Sequence, residues 1–197
     1  MVPAKRLFFN ELAENWDKNK PAPSSRYRKI IKEARIRNHQ KILDVGTGTG
    51  ILIPYILEKG FGEIEIFAID YAEKMIEKFE KKKYPDCVHP SVRDIHRTDF
   101  KDNFFDRVMV NDCYPHLEDK PAVLREIYRI LKKDGILVIS HPTGRKHVHR
   151  VHRKAHPVVS HDVIPCISSF RNFVVSFGFR LLADIDDDSF FLISFTK

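Results

Sequence analysis

The stretch Lys41-Ile42-Leu43-Asp44-Val45-Gly46-Thr47-Gly48-Thr49-Gly50 decides how this chain is read. A short apolar run ending on glycine has the pattern of a buried strand, and GILIPYILEKG (50–60) continues as a helix stopped by Gly60. Glycines at the carboxyl end of a strand let a ligand approach the backbone closely, at the edge where open α/β sheets bind ligands. A dinucleotide fingerprint spaces its glycines G-x-G-x-x-G. Here the spacing is G-x-G-x-G, Ile51 follows, and Asp44 stands two residues before the first glycine. A carboxylate so placed would repel a pyrophosphate and suits a cationic ligand.

Outward from this loop the period alternates. EIEIFAID (63–70), Cys87–Val92, FDRVMVND (105–112) and GILVISH (135–141) read as strands. Between them AEKMIEKFEKKKY (72–84) and PAVLREIYRILKKDG (121–135) read as helices. Such alternation predicts an α/β fold with a mostly parallel sheet covered on both faces. At the carboxyl end a helix over about 166–177 precedes FRLLADID (179–186) and SFFLISFT (189–196). The link between those strands is only Asp187 and Asp188, which predicts an antiparallel hairpin. At the other end LFFNELAENWDK (7–18) carries Phe8, Leu12 and Trp16 at helical spacing. Pro21-Ala22-Pro23 breaks it, and Ser24 or Ser25 can cap a second helix through about Arg35.

A chain of 197 residues, 43% hydrophobic and 31% charged, is one ordinary soluble globular domain. We divide it into an N-terminal helical cap (1–37), a ligand-binding core (38–141), a basic histidine-rich insertion or lid (142–165), and a C-terminal helix and hairpin (166–197). No apolar run approaches the ~18 to 20 residues of a membrane span, and the charged start MVPAKR has no secretory core, so the expected location is cytoplasmic. Cys87, Cys113 and Cys166 are too few and too scattered for a disulfide framework or a metal knuckle. The formal charge of +7 is concentrated late. Between Pro142 and Ile164 stand Arg145, Lys146, Arg150, Arg153 and Lys154 against the single acid Asp162, with five of the ten histidines.

Two further acids stand in this alternation. Asp70 ends the second strand, where a carboxylate can accept both ribose hydroxyls of a nucleoside; it can also cap the helix that follows. Asp94 follows the third strand, where it can accept from an adenine amino group with Ile95 against the ring. In the basic segment, a helix over 144–156 would put His149, His152 and His156 on one face. Val148, Val151 and Ala155 would form an apolar stripe beside them. That pattern predicts a lid with the stripe on the domain and the histidines at the pocket rim. The same three histidines could hold a divalent metal, or with Arg145 could take an anionic substrate group; no metal ligand set is assigned.

LDVGTGTG (43–50), AID (68–70), RDI (93–95) and FDRVMVNDCYPHLEDKPAVLREIYRILKKDGILVISH (105–141), in that order, resemble the class I S-adenosylmethionine-dependent methyltransferases. The likeness is to the small-molecule branch that includes the ubiquinone and menaquinone C-methyltransferases (methyltransferase type 11). It implies a Rossmann-like, doubly wound, seven-stranded sheet, with S-adenosyl-L-methionine as methyl donor and S-adenosyl-L-homocysteine as product. On this resemblance Asp44, Gly46, Thr47, Gly48 and Gly50 surround the methionine portion, and Phe8 and Trp16 cover it. Asp70 takes the ribose, Tyr71 lies beside the adenine, and Asp94 and Ile95 meet its edge. Asn111 sits where methyl donor and acceptor meet. The implied chemistry is in-line displacement at the sulfonium methyl, needing a base only if the nucleophile must lose a proton. His116, in Cys113-Tyr114-Pro115-His116, and His141, ending the fifth strand, are the candidates for that base.

The expected partner is a small-molecule acceptor, one that can carry negative charge. An RNA-directed enzyme or RNA-binding protein would have to use residues 142–165. That segment offers no aromatic residue for bases to stack on, and no separate RNA-binding module is present. A protein that binds S-adenosylmethionine without turnover is the remaining alternative.

Overall fold

Ile42 and Leu43 are neighbours in the chain and both fully buried, yet they belong to different cores. The same split separates Met109 from Val108 and Val110, and Leu192 from Phe191 and Ile193. Side chains of a strand alternate between faces, so a strand whose successive residues are all buried must be covered on both sides.

The computed structural model describes residues 3–18, 22–60 and 63–197. The strands are β1 (Lys41–Val45), β2 (Glu65–Asp70), β3 (Val88–Val92), β4 (Phe105–Asn111), β5 (Leu131–His141), β6 (Arg180–Asp186) and β7 (Phe191–Thr196). They form one sheet in the order β3-β2-β1-β4-β5-β7-β6, parallel except for β7, which runs antiparallel to both neighbours. The helices are α1 (Ala4–Leu12), α2 (Ser24–Ala34), α3 (Ile53–Gly60), α4 (Glu73–Glu80), α5 (Lys120–Ile130), α6 (Arg145–Lys154) and α7 (Ile167–Val175). One core packs α5 and α7 through Val123, Leu124, Ile127 and Phe170. The other packs α2 and α3 through Ile30, Ile31, Ile53 and Ile56. This is the doubly wound, mostly parallel seven-stranded sheet with an antiparallel C-terminal hairpin. Among the described residues no helix is long and apolar enough to cross a membrane.

Several boundaries differ from the sequence reading. The helix expected to reach Gly135 ends at Ile130, because Leu131 already pairs with Phe105 in the sheet. Ser24 and Ser25 lie inside α2, whose N-cap is Pro23 with no side-chain cap; the expected break at Pro21 lies outside the described residues. The last hairpin turns over 187–190 rather than two residues. Asp187 N–H donates to Phe190 O (3.0 Å) and the Asp187 carboxylate accepts from Ser189 N–H (2.8 Å). The carboxyl end of α2 is held by buried Arg107, which donates to Ala34 O (2.6 Å) and Arg35 O (3.0 Å), satisfying carbonyls that no helical N–H reaches.

At the N-terminus the predicted helix over 7–18 stops at Leu12, and Ala13–Lys18 tightens into a 3-10 turn. The docked set is Phe9, Ala13 and Trp16, packed on Ala72 and Met75, rather than Phe8, Leu12 and Trp16. Polar clamps fix it: Arg6 pairs with Glu73, Asn10 donates to Glu73 (2.8 Å), and Thr49 Oγ1 donates to Asp17 (2.5 Å). The Asp17 contact ties this segment to the glycine loop.

Candidate active site

The strand order turns back on itself between β1 and β4, and there the carboxyl ends of neighbouring strands lead in opposite directions. Such a switch point leaves a crevice where ligands bind. A cleft enclosing about 830 Å³, part of it open to solvent, lies there. Val45 at the end of β1 with Gly46 after it, and Asp112 and Cys113 after β4, are among the residues that line it.

Of the predicted residues, Trp16, Gly46, Gly48, Asp70, Tyr71, Asp94, Ile95 and His116 line this cleft. Asp44, Thr47, Gly50, Asn111 and His141 do not. Gly46 (φ +64) and Gly48 (φ +55) take left-handed backbone that lets the loop turn back over the strand. The Asp70 carboxylate, 8% exposed, accepts from Gly48 N–H and Ala72 N–H, both at 2.9 Å. It therefore both pins the glycine loop and starts the turn into α4. Burial pushes its pKa up against these backbone bonds.

Asp44, 2% exposed, accepts from Thr47 Oγ1 (2.7 Å) behind the loop. Burial, aided by the Asp70 charge and opposed by Thr47, raises its pKa to about 7. Because the folded pKa lies above the unfolded value, Asp44 contributes stability that is fully present in acid and is lost as the pH rises through 7. Asp44→Asn, which keeps an acceptor for Thr47, is therefore expected to be more stable than the wild type at pH 8, by up to about 4 kcal/mol. The advantage fades toward pH 4. Urea unfolding of both proteins at the two pH values measures it, and a pH-independent difference would remove Asp44 as the cause.

On the opposite wall Asp94 is held by a residue the sequence reading passed over. His96 Nδ1 meets Asp94 Oδ1 at 2.5 Å, and Nε2 meets Glu118 O at 2.6 Å. Burial opposes the charged imidazole, but these two bonds outweigh it and hold the His96 pKa above its ordinary value. The only signal in the sequence is that His96 lies two residues beyond Asp94 in one short loop. Phe9 lines the cleft where Phe8 was expected; Phe8 packs against His156 (ring centroids 5.3 Å).

His116, on the 3-10 turn Tyr114–His116, presents Nδ1 to Asp162 Oδ2 at 2.8 Å. His141 lies behind the cleft wall, 3% exposed, with Nδ1 2.7 Å from Asp112 Oδ1 and Nε2 without a partner among the described residues. Asn111 accepts from Ser140 Oγ (3.0 Å) and belongs to this rear network.

The basic helix corrects its prediction. In α6 only Val148 is buried; Val151 is 47% exposed and Ala155 is exposed, so no continuous apolar stripe docks. The histidines instead tie down the chain that follows: His149 Nε2 lies 3.0 Å from Ile164 O, and His152 Nδ1 lies 2.6 Å from Asp162 O. Among the described residues no group of three His, Cys, Asp or Glu side chains is arranged to hold a metal ion. Arg145, the candidate anion contact, is paired with Asp186 (3.1 Å).

Residues 43–139 match the family model described as a methyltransferase domain. The demethylmenaquinone methyltransferase of Thermotoga maritima is 34% identical over 142 residues, covering 69% of this chain and 60% of that protein. The chain thus spans 60% of that relative's length. A structure of the Haloferax volcanii Trm112 methyltransferase activator in complex with a candidate methyltransferase has a TM-score of 0.77. It is 19% identical and covers 95% of this chain and 96% of that one. A candidate S-adenosyl-L-methionine-dependent methyltransferase from Methanococcus maripaludis has a TM-score of 0.75. It is 24% identical, covering 100% and 97%. At those identities the structural likeness speaks for the fold alone.

Proposed function

We propose that the chain is a class I S-adenosylmethionine-dependent methyltransferase of the type 11 branch, a reading supported by the methyltransferase-domain match over residues 43–139 and by the Thermotoga maritima relative, and that it methylates a small aromatic or enolic acceptor of the reduced-naphthoquinone kind. The observation that carries the reading is the convergence of Gly46, Gly48, Asp70 and Asp94 on one crevice at the β1/β4 switch point. The acceptor class rests on the name of the Thermotoga maritima relative.

The residues present fit S-adenosylmethionine. After accepting from Gly48 and Ala72, each Asp70 oxygen retains a lone pair for a ribose hydroxyl. Tyr71, Asp94 and Ile95 would hold the adenine. Gly46 and Gly48 would meet the methionine portion, with Trp16 over Gly48, while Thr47 and Gly50 would shape the loop from behind and Asn111 would close the end of β4. A Cβ at Gly48 would lie 3.6 Å from Trp16 Nε1, so a side chain there would grow into the space between loop and indole. Asp44, buried and short of positive charge, complements a cationic ligand.

Bound there, S-adenosylmethionine supplies a methyl carbon already activated by its sulfonium. The protein's part is then to orient the acceptor and exclude water. Phe9, Trp16 and Leu117 give the cleft an apolar wall suited to both tasks. His116 would take the acceptor's proton. Burial, only partly opposed by Asp162, lowers its pKa and leaves the imidazole neutral and basic near pH 7. His141, behind Asp112, would steady this wall.

Calorimetric titration with S-adenosylmethionine and S-adenosylhomocysteine tests the reading, with micromolar binding of both expected. Transfer of a labelled methyl group to 1,4-dihydroxynaphthalene tests the acceptor class. Absence of binding would overturn the function; binding without transfer to this probe would overturn only the acceptor.

A further inference from the structure

Resting on the proposed methyl transfer, we infer that Asp162 is a positioning residue: it fixes His116 with a proton on Nδ1 and leaves the Nε2 lone pair free at the cleft. Asp162 comes from the chain after α6 and is the one acid among the cations of residues 142–164. Its side chain is 12% exposed, and both carboxylate oxygens are engaged. Oδ1 accepts from Lys5 Nζ at 2.8 Å, and Oδ2 lies 2.8 Å from His116 Nδ1. A carboxylate only accepts, so Nδ1 must carry the proton. Burial opposes the Asp162 charge, but His116 and Lys5 outweigh it and hold its carboxyl below the ordinary range, so it is ionised at neutral pH.

The imidazole is also fixed in its plane. Phe9 meets it edge-on at 5.0 Å between centroids, and the His152 ring lies at 4.7 Å. His152 in turn is anchored on Asp162 O. Among the described residues, the charged and titratable groups around His116 are Asp162, His152 on α6, His141 at the end of β5, Lys5 on α1 and Lys120 on α5. Lys5 donates to His116 O, and Lys120 donates to the carbonyls of Pro115 and Leu117 on either side. Among the described residues only Asp162 hydrogen-bonds the ring. A base held in one tautomer by a carboxylate is the general arrangement for activating a weak nucleophile.

The step balances without a further reactant. The acceptor's O–H or C–H proton passes to His116 Nε2 while the freed electron pair forms the bond to the methyl carbon. The methyl–sulfur pair returns to sulfur, leaving a neutral thioether, and the imidazolium is stabilised by Asp162 until it loses its proton to water.

Long-range proton–nitrogen NMR of the His116 ring tests this in the intact chain, without needing an acceptor. The wild type is expected to show the Nδ1–H tautomer at pH 7. Asp162→Ala is expected to shift the proton to Nε2. Because alanine also frees Lys5, the isosteric Asp162→Asn is compared; it keeps the tautomer through its amide oxygen but lowers the His116 pKa, and Asp162→Glu restores it. With 1,4-dihydroxynaphthalene as probe, kcat is expected to fall roughly 30–100-fold in Asp162→Ala, and its acid limb to move to lower pH in Asp162→Asn. The Kd for S-adenosylhomocysteine should stay within about twofold in both. An Nε2–H tautomer in the wild type, or one that Asp162→Ala does not move, would overturn the inference. If the wild type transfers no methyl to the probe, the acceptor class fails and the tautomer alone judges Asp162.

Discussion

Gly46→Ala is expected to destabilise the protein by about 2–4 kcal/mol, lowering the Tm by about 4–16 °C in a chain of this size. Two causes act together. The residue sits at φ +64, where any Cβ is strained, and that Cβ would stand 2.2 Å from Cys113 Sγ and 2.7 Å from Cys113 Cβ. Neither neighbour is free to move, since Gly46 follows a strand paired on both sides and Cys113 precedes the turn that carries His116. Trimming the thiol in a Gly46→Ala/Cys113→Ala pair should recover less than half of the loss, because the backbone strain and the Cβ contact persist. Thermal unfolding of the three variants measures this. A single variant within about 0.5 kcal/mol of wild type would mean that the loop and the turn after β4 are not in contact.

Asp70→Ala should weaken S-adenosylmethionine binding by about 1.5–3 kcal/mol, or roughly 10- to 150-fold in Kd. S-adenosylhomocysteine should lose as much, because the ribose is common to both. The effect has a structural share. Alanine leaves Gly48 N–H and Ala72 N–H without their acceptor, which loosens the loop that the ligand must find already formed. Asp70→Asn separates the two parts, since its one carbonyl oxygen keeps either backbone bond but not both. Equal affinity for the alanine variant in calorimetry would end the ribose assignment.

Much of the architecture was readable because burial on both faces of the sheet writes unbroken apolar runs such as Val108–Val110 and Ile136–Ile139, each closed by a polar residue. The boundaries that went wrong depended on contacts distant in the chain. Leu131 leaves its helix because Phe105 is waiting in the sheet, and Val151 stays exposed because α6 is held through histidine contacts rather than an apolar stripe. At the site, residues standing at strand ends were nominated from spacing, and Gly46, Gly48, Asp70 and Asp94 do share the cleft. Those brought in from elsewhere were not. Asp162 reaches His116 only after the chain folds back beyond α6, and Phe9 replaces Phe8 because the first helix yields to a tighter turn at Ala13. No local pattern carries that information.

The pairing of β1 with β4 also governs when the cleft comes into being. Ile42 registers against Arg107, and Val45 against Val110, so this contact closes a long loop that contains α3, β2, α4 and β3. Pairings so remote in sequence form late, after the local hairpins and helices have arisen. The crevice they create belongs to the native state and to species close to it, and a chain in which β1 and β4 are unpaired has nothing for a ligand to hold. Occupancy thus acts on the lifetime of the finished fold, slowing the departure from it, while the rate of arrival is set by the chain alone.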